Sequence, residues 1–121
     1  MSDREAMVLD TSAILHLKLP LNENYYTTGL VVNEIKSQQA SFIFDILKQQ
    51  KRIKILDPPW QAVLKVRKLS KKIGEKLSDA DISVIALAYH LSKEGLKVTI
   101  ITDDYGIMNI ASLLKIDIKT I

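Results

Sequence analysis

The sequence predicts an α/β domain, a three-layer α/β/α sandwich around a mainly parallel sheet. Three observations predict it. Short apolar runs around 6–9, 52–56, 97–101 and 116–119 read as strands, helical periodicity fills the stretches between them, and hairpin turns are scarce. At 121 residues the chain has the length of one domain spanning 1–121, and 47% apolar residues suffice for its core.

Taken in order, Ala6-Met7-Val8-Leu9 reads as a buried strand that stops at Asp10. Thr11 and Ser12 are suited to cap a short helix running to about Lys18. After a loop at Pro20–Asn24, Thr27 or Thr28 caps a helix carrying Leu30, Val31, Glu34 and Ile35. Ser41–Gln50 reads as a further helix through Phe42, Ile43, Ile46 and Leu47, and Arg52–Leu56 alternates as a strand. Asp57-Pro58-Pro59 opens a helix with apolar positions Ala62, Val66, Leu69 and Ile73. Ser78-Asp79-Ala80-Asp81 precedes a helix that is apolar almost all round, from Ile82 to Leu91, hence a buried central one closed by Gly95. Lys97–Ile101 is the clearest strand and ends at Thr102-Asp103-Asp104. Ile107, Ile110, Ala111 and Leu114 outline the last helix, and Ile116–Lys119 the last strand.

Composition excludes several chemistries. The absence of cysteine rules out disulfides, thiolate zinc sites, iron–sulfur clusters and cysteine nucleophiles in these residues. No apolar run approaches the roughly 18–20 residues of a membrane span, and the N-terminus lacks a signal-peptide pattern. A cytoplasmic protein without a membrane partner is expected. Isolated glycines give no phosphate loop. His16 and His90 adjoin no acidic motif, so a two-imidazole ribonuclease mechanism is disfavoured.

Charge is unevenly placed. Between Lys48 and Lys76 stand ten Lys or Arg against Asp57 and Glu75, a net +8, while the remainder carries −5. Lys65, Lys68 and Lys72 share one helical stripe, flanked by Arg67, Lys71 and Lys76. The stripe reads either as a solvated face or as a surface for RNA phosphates. Trp60 is suited to stack a base or to dock on the core, and Tyr105 to line the site or to pack.

The acids sit where ligand sites form in parallel sheets, outside the carboxyl ends of strands: Asp10 after the first, Asp103 and Asp104 after another. Asp79 and Asp81 lie in the first turn of the buried helix, and Glu34 on a helix among Val31, Val32 and Ile35. Singly, each Asp reads as a helix cap. Together, two helix starts carry two acids each and Glu34 is at no start. Converging carboxylates repel one another, and a hard divalent cation, Mg²⁺ or Mn²⁺, is the compensation that oxygen ligands favour. Such a site activates water for phosphoryl transfer.

Val8-Leu9-Asp10-Thr11-Ser12, Glu34, Ser78-Asp79-Ala80-Asp81 with Ala86 and Ala88, and Ile101-Thr102-Asp103-Asp104 resemble, in order, the motifs of the PIN-domain nucleases. Ser78–Ser83, Thr102–Tyr105 and Asn109-Ile110-Ala111 are similar to the NOB-type branch, which matures the 3′ end of small-subunit rRNA. That branch usually continues into a cysteine-based zinc ribbon, so the resemblance covers the nuclease domain alone. It implies metal-dependent cleavage of single-stranded RNA, leaving 5′-phosphate and 3′-hydroxyl ends. Residue by residue, Asp10, Glu34, Asp81 and Asp104 match the catalytic quartet. Asp79 and Asp103 match additional metal-holding acids, with Thr11, Ser12 and Thr102 as polar support. The implied partners are pre-rRNA or the small ribosomal subunit, with a homodimer admissible. Two other readings stand beside it: a VapC-like toxin ribonuclease, which requires an antitoxin, and a non-catalytic RNA-binding PIN module.

Overall fold

The computed structural model describes residues 4–16, 24–36, 45 and 53–121. Its elements are β1 (Glu5–Leu9), α1 (Thr11–Leu15), β2 (Tyr25–Thr27), α2 (Gly29–Lys36), β3 (Ile53–Ile55), α3 (Trp60–Ile73), α4 (Asp79–Lys93), β4 (Lys97–Ile101), α5 (Tyr105–Leu113) and β5 (Asp117–Lys119). The described strands form one sheet in the order β3-β2-β1-β4-β5, with every neighbouring pair parallel. The expected α/β/α sandwich is the architecture found, with a sheet parallel throughout.

The order in which strands are added reverses between β1 and β4. From β1 the chain moves outward to β2 and β3, then returns across β1 to β4 and on to β5. This makes the carboxyl edge between β1 and β4 the switch point, where a parallel α/β sheet leaves a crevice. The register puts Leu9 opposite Ile101. Asp10 and Thr102, the next residues on each strand, therefore emerge side by side.

Helix α4 lies along β1 and β4 and is packed by α2, α3 and α5. Its burial is as the apolar pattern requires: Ala80, Ile82 to Ala88 and Leu91 are all buried. Gly95 follows the C-cap Glu94 at φ +96°, a left-handed conformation that favours glycine.

Four local expectations are corrected. Asp10, not Thr11 or Ser12, is the N-cap of α1, and that helix ends at Leu15 with His16 as its C-cap, short of Lys18. Strand β2 was passed over because three buried residues, Tyr25, Tyr26 and Thr27, show no alternation in an interior strand. Trp60 does not dock on the core; it is 70% exposed at the first position of α3. Ile73, placed on the apolar face of α3, is exposed at the helix end, while Ser70 is buried there and donates to Glu75 O at 2.6 Å. The helix expected at Ser41–Gln50 lies outside the described residues apart from Asp45.

Candidate active site

Asp10 is the centre of the site. It leaves β1 at the switch point, is 4% exposed, and its two oxygens are separately held. Oδ1 accepts Ala13 N at 2.7 Å and so caps α1, while Oδ2 accepts the hydroxyl of Thr102. Thr102 is fully buried, and its Oγ1 in turn accepts Asp104 N at 3.0 Å. One hydroxyl thus ties the ends of β1 and β4 together and sets Asp104 against Asp10. Asp104 Oδ1 caps α5 through Ile107 N at 3.1 Å.

Asp81 arrives from the start of α4. Ser78 and Asp81 form a reciprocal capping box, with Asp81 N on Ser78 Oγ at 3.1 Å and Ser78 N on Asp81 Oδ2 at 3.4 Å. Glu34 comes from the second turn of α2, and its Oε2 accepts the Thr11 hydroxyl at 2.5 Å. A buried hydroxyl pair fixes α2 against α4: Ser83 Oγ donates to Ala80 O at 2.6 Å and stands 2.7 Å from Thr28 Oγ1. Thr28 Oγ1 also accepts Val31 N at 3.3 Å. Ser83 was not singled out from the sequence. A hydroxyl on an otherwise apolar helix face was the available signal.

Electrostatically these acids lie within reach of one another. Burial pushes the Asp10 carboxyl above its ordinary range, the bonds from Thr102 and Ala13 pull it back, and the charges of Asp81 and Asp104 push it up again. Asp81 is also raised, by burial first, opposed by its bonds with Ser78 and reinforced by Asp104 and Glu34. Asp10, Glu34, Asp81 and Asp104 are therefore brought together. Capping and clustering are not alternatives here. Asp10, Asp81 and Asp104 each spend one oxygen on a helix start, where the helix dipole favours their negative charge.

Asp79 and Asp103 are placed elsewhere. Asp79 Oδ1 meets Arg67 at 3.1 Å, with the two side chains 71% and 53% exposed. Asp103 Oδ1 accepts Ile121 N at 2.9 Å. Geometry requires it. Residues two apart on a helix point about 200° apart, and successive residues on extended backbone point to opposite sides. Of the polar supports, Thr11 and Thr102 hold acids, whereas Ser12 is exposed on the first turn of α1.

Among the described residues no three acidic or histidine side chains close on a single ion unaided. The donor set nevertheless suits Mg²⁺ or Mn²⁺. Mg²⁺ is usually bound by one or two carboxylates and keeps several waters. A buried, upshifted Asp10 beside three further carboxylates supplies those hard oxygens.

On α3, Lys65, Lys68 and Lys72 are exposed and, with Leu69, Leu113 and Leu114, line a groove of about 320 Å³. Lys71 and Lys76 are also exposed, but Arg67 is engaged by Asp79. Lys65 and Lys93 each stand 5.3 Å from the centroid of the Tyr89 ring.

Fold and site define an α/β domain with an acidic crevice at the switch point of a parallel sheet. The family model described as the PIN domain of ribonuclease matches residues 7–91, and the chain belongs to that family. PIN nucleases generally use divalent metal ions. Endoribonuclease Nob1 of Methanocaldococcus jannaschii is 39% identical over 116 residues, covering 94% of this chain and 55% of that protein. Endoribonuclease Nob1 of Pyrococcus abyssi is 32% identical over 95% of this chain and 68% of its own length. Ribonuclease VapC3 of Aeropyrum pernix is 32% identical over 92% of this chain and 82% of its own length. The chain thus spans about half of the first of these relatives and two thirds of the second. The structure of VapBC2 from Rickettsia felis bound to a promoter DNA fragment shares the fold, with TM-score 0.67 at 14% identity, covering 95% of this chain and 98% of that one.

Proposed function

We propose that this domain is a divalent-metal-dependent endoribonuclease that cleaves single-stranded RNA, with pre-rRNA of the small ribosomal subunit as its substrate in 3′-end maturation. The observation that carries the proposal is the convergence of Asp10, Glu34, Asp81 and Asp104 at the switch point, held by Thr102, Thr11 and three helix starts. The names of the Nob1 relatives support the substrate class.

In this reading one or two of Asp10, Asp81 and Asp104 would bind Mg²⁺ or Mn²⁺ directly and the others through waters the ion keeps, with Glu34 within the electrostatic reach of Asp81. The ion, when bound, supplies charge neutralisation at the phosphate and a more acidic water. The chain's own residues do the positioning. Thr102 keeps Asp10 and Asp104 in register, and Thr11 orients Glu34. The exposed lysines of α3 attract the RNA backbone, and their contribution weakens with salt. Asp79 and Asp103 stand outside this set.

Labelled single-stranded RNA incubated with Mg²⁺, with Mn²⁺ or with a chelator tests the proposal. Metal-stimulated internal cleavage that is lost in Asp10→Asn supports it, and no cleavage with either metal refutes it. The likeness to VapC3 favours a second reading, a toxin ribonuclease with an antitoxin. Co-purification with a small protein that suppresses cleavage would select that reading.

A further inference from the structure

Tyr105 is the most exposed of the large hydrophobic side chains described, at 80%, and it directly follows Asp104. The other described tyrosines are covered: Tyr25 and Tyr26 are buried, and Tyr89 is flanked by Lys65 and Lys93. Tyr105 is nonetheless not on a loose segment. It is the first residue of α5, between the cap Asp104 and Gly106.

Gly106 shows how tightly that helix start is seated. A Cβ there would stand 2.8 Å from Leu77 Cδ2 and 3.1 Å from Asp104 Oδ1. Asn109, one turn on, donates to Glu75 Oε2 at 2.6 Å. The inner side of the first turn is therefore closed against the segment before α4. Tyr105, about 100° round the helix from Gly106 and one residue from Asp104, leaves its ring exposed on a rigid base.

Resting on the endoribonuclease reading, we infer that Tyr105 is a stacking platform for the nucleobase next to the cleaved phosphate. A phenol ring gives a base a flat apolar face without demanding a particular sequence. The acids themselves offer the RNA only charge repulsion before metal binds, so an uncharged contact one residue from Asp104 is well placed to set the strand's register. Trp60 does not have this position. It starts α3 between Pro59 and Gln61, which share a groove with Tyr89 and His90, and Tyr89 lies about 12 Å along α4 from Asp81 at 1.5 Å per residue.

The test is steady-state cleavage of a single-stranded RNA whose cut site has been mapped with wild-type protein and Mn²⁺. Tyr105→Ala should raise KM roughly 5- to 150-fold, the range for losing one stacked base, with a smaller effect on kcat and an unchanged melting temperature. Tyr105→Phe should stay near wild type, and Trp60→Ala should not reproduce the KM change. Removing the base beside the cut should raise KM for wild type and add nothing in Tyr105→Ala. Wild-type KM in Tyr105→Ala, or undiminished sensitivity to the abasic RNA, overturns the stacking role while leaving the nuclease reading intact. If wild-type protein cleaves no RNA with either metal, both fall.

Discussion

Asp10→Asn and Asp10→Ala, measured together, separate what the central carboxylate does for the fold from what it does for chemistry. Both variants remove a buried charge that Asp81 and Asp104 oppose. They differ in hydrogen bonds. Asn keeps an oxygen for Ala13 N and turns its amide toward Thr102 Oγ1, so only the Thr102 hydroxyl proton must find a new acceptor. Ala loses the cap as well, worth about 0.5–2 kcal/mol, while the orphaned Thr102 hydroxyl proton is common to both variants. Asp10→Ala should therefore be about 0.5–2 kcal/mol less stable than Asp10→Asn, at roughly 3–6 °C in Tm per kcal/mol for a domain of this size. Cleavage should fall at least about 100-fold in both, since a charge that holds the ion outweighs the 10–100-fold typical of outer partners. The pH dependence has a definite sign. Burial raises the Asp10 pKa above 3.8, so its ionised form disfavours the folded state at neutral pH, and that cost disappears as pH falls through the raised value. In chelator, Asp10→Asn should be at least as stable as wild type near pH 7, with the gap closing toward acid pH. The measurements are calorimetric melting and RNA cleavage on the same preparations. An Asp10→Asn variant that cleaves within threefold of wild type refutes the site, because Asn caps a helix as well as Asp does.

Thr102→Val keeps the side-chain shape but strips Asp10 Oδ2 and Asp104 N of their shared hydroxyl. It should lose about 1–3 kcal/mol of stability and roughly 10–100-fold in cleavage, whereas Thr102→Ser keeps both in the same melting and cleavage assays. Asp79→Asn and Asp103→Asn should cleave within about threefold of wild type, because their exposed pairings contribute little; a loss approaching that of Asp10→Asn would return them to the metal-holding set. Replacing Lys65, Lys68 and Lys72 together by Ala should flatten the salt dependence of single-strand binding by roughly 2 in log–log slope, about 0.7 per phosphate contact. An unchanged slope in titrations across salt concentrations would move the RNA path off α3.

The elements that sequence reading placed well are those whose burial is complete or whose ends carry a cap. Helix α4 was legible because Ile82 to Ala88 allow no exposed face, and β4 because Val98, Ile100 and Ile101 end at a polar triplet. Strand β2 was not, because three residues lying between β1 and β3 are buried on both faces and carry no period to read. The end of α1 was overextended for a different reason. Asp10 is both strand end and helix cap, so the helix begins at once and closes at Leu15, and neither Thr11 nor Ser12 was needed to start it.

The site itself was legible in its membership but not in its geometry. Of the six acidic candidates, five lie near strand ends or helix starts, and only side-chain direction divides those five. Asp81 and Asp79 are two apart on one helix, so one of them must turn away, and Arg67 receives it. Asp104 and Asp103 are adjacent on extended backbone, so the one that caps α5 faces the crevice and the other reaches Ile121 N. The capping interaction that weakened the case for a site in the sequence is what selects its members in the structure. An acid bonded to its own helix start is held there rather than swinging out to a surface lysine. The same logic extends to Glu34, which lies inside α2 rather than at its start: it takes the Thr11 hydroxyl, supplied by the first residue after the Asp10 cap.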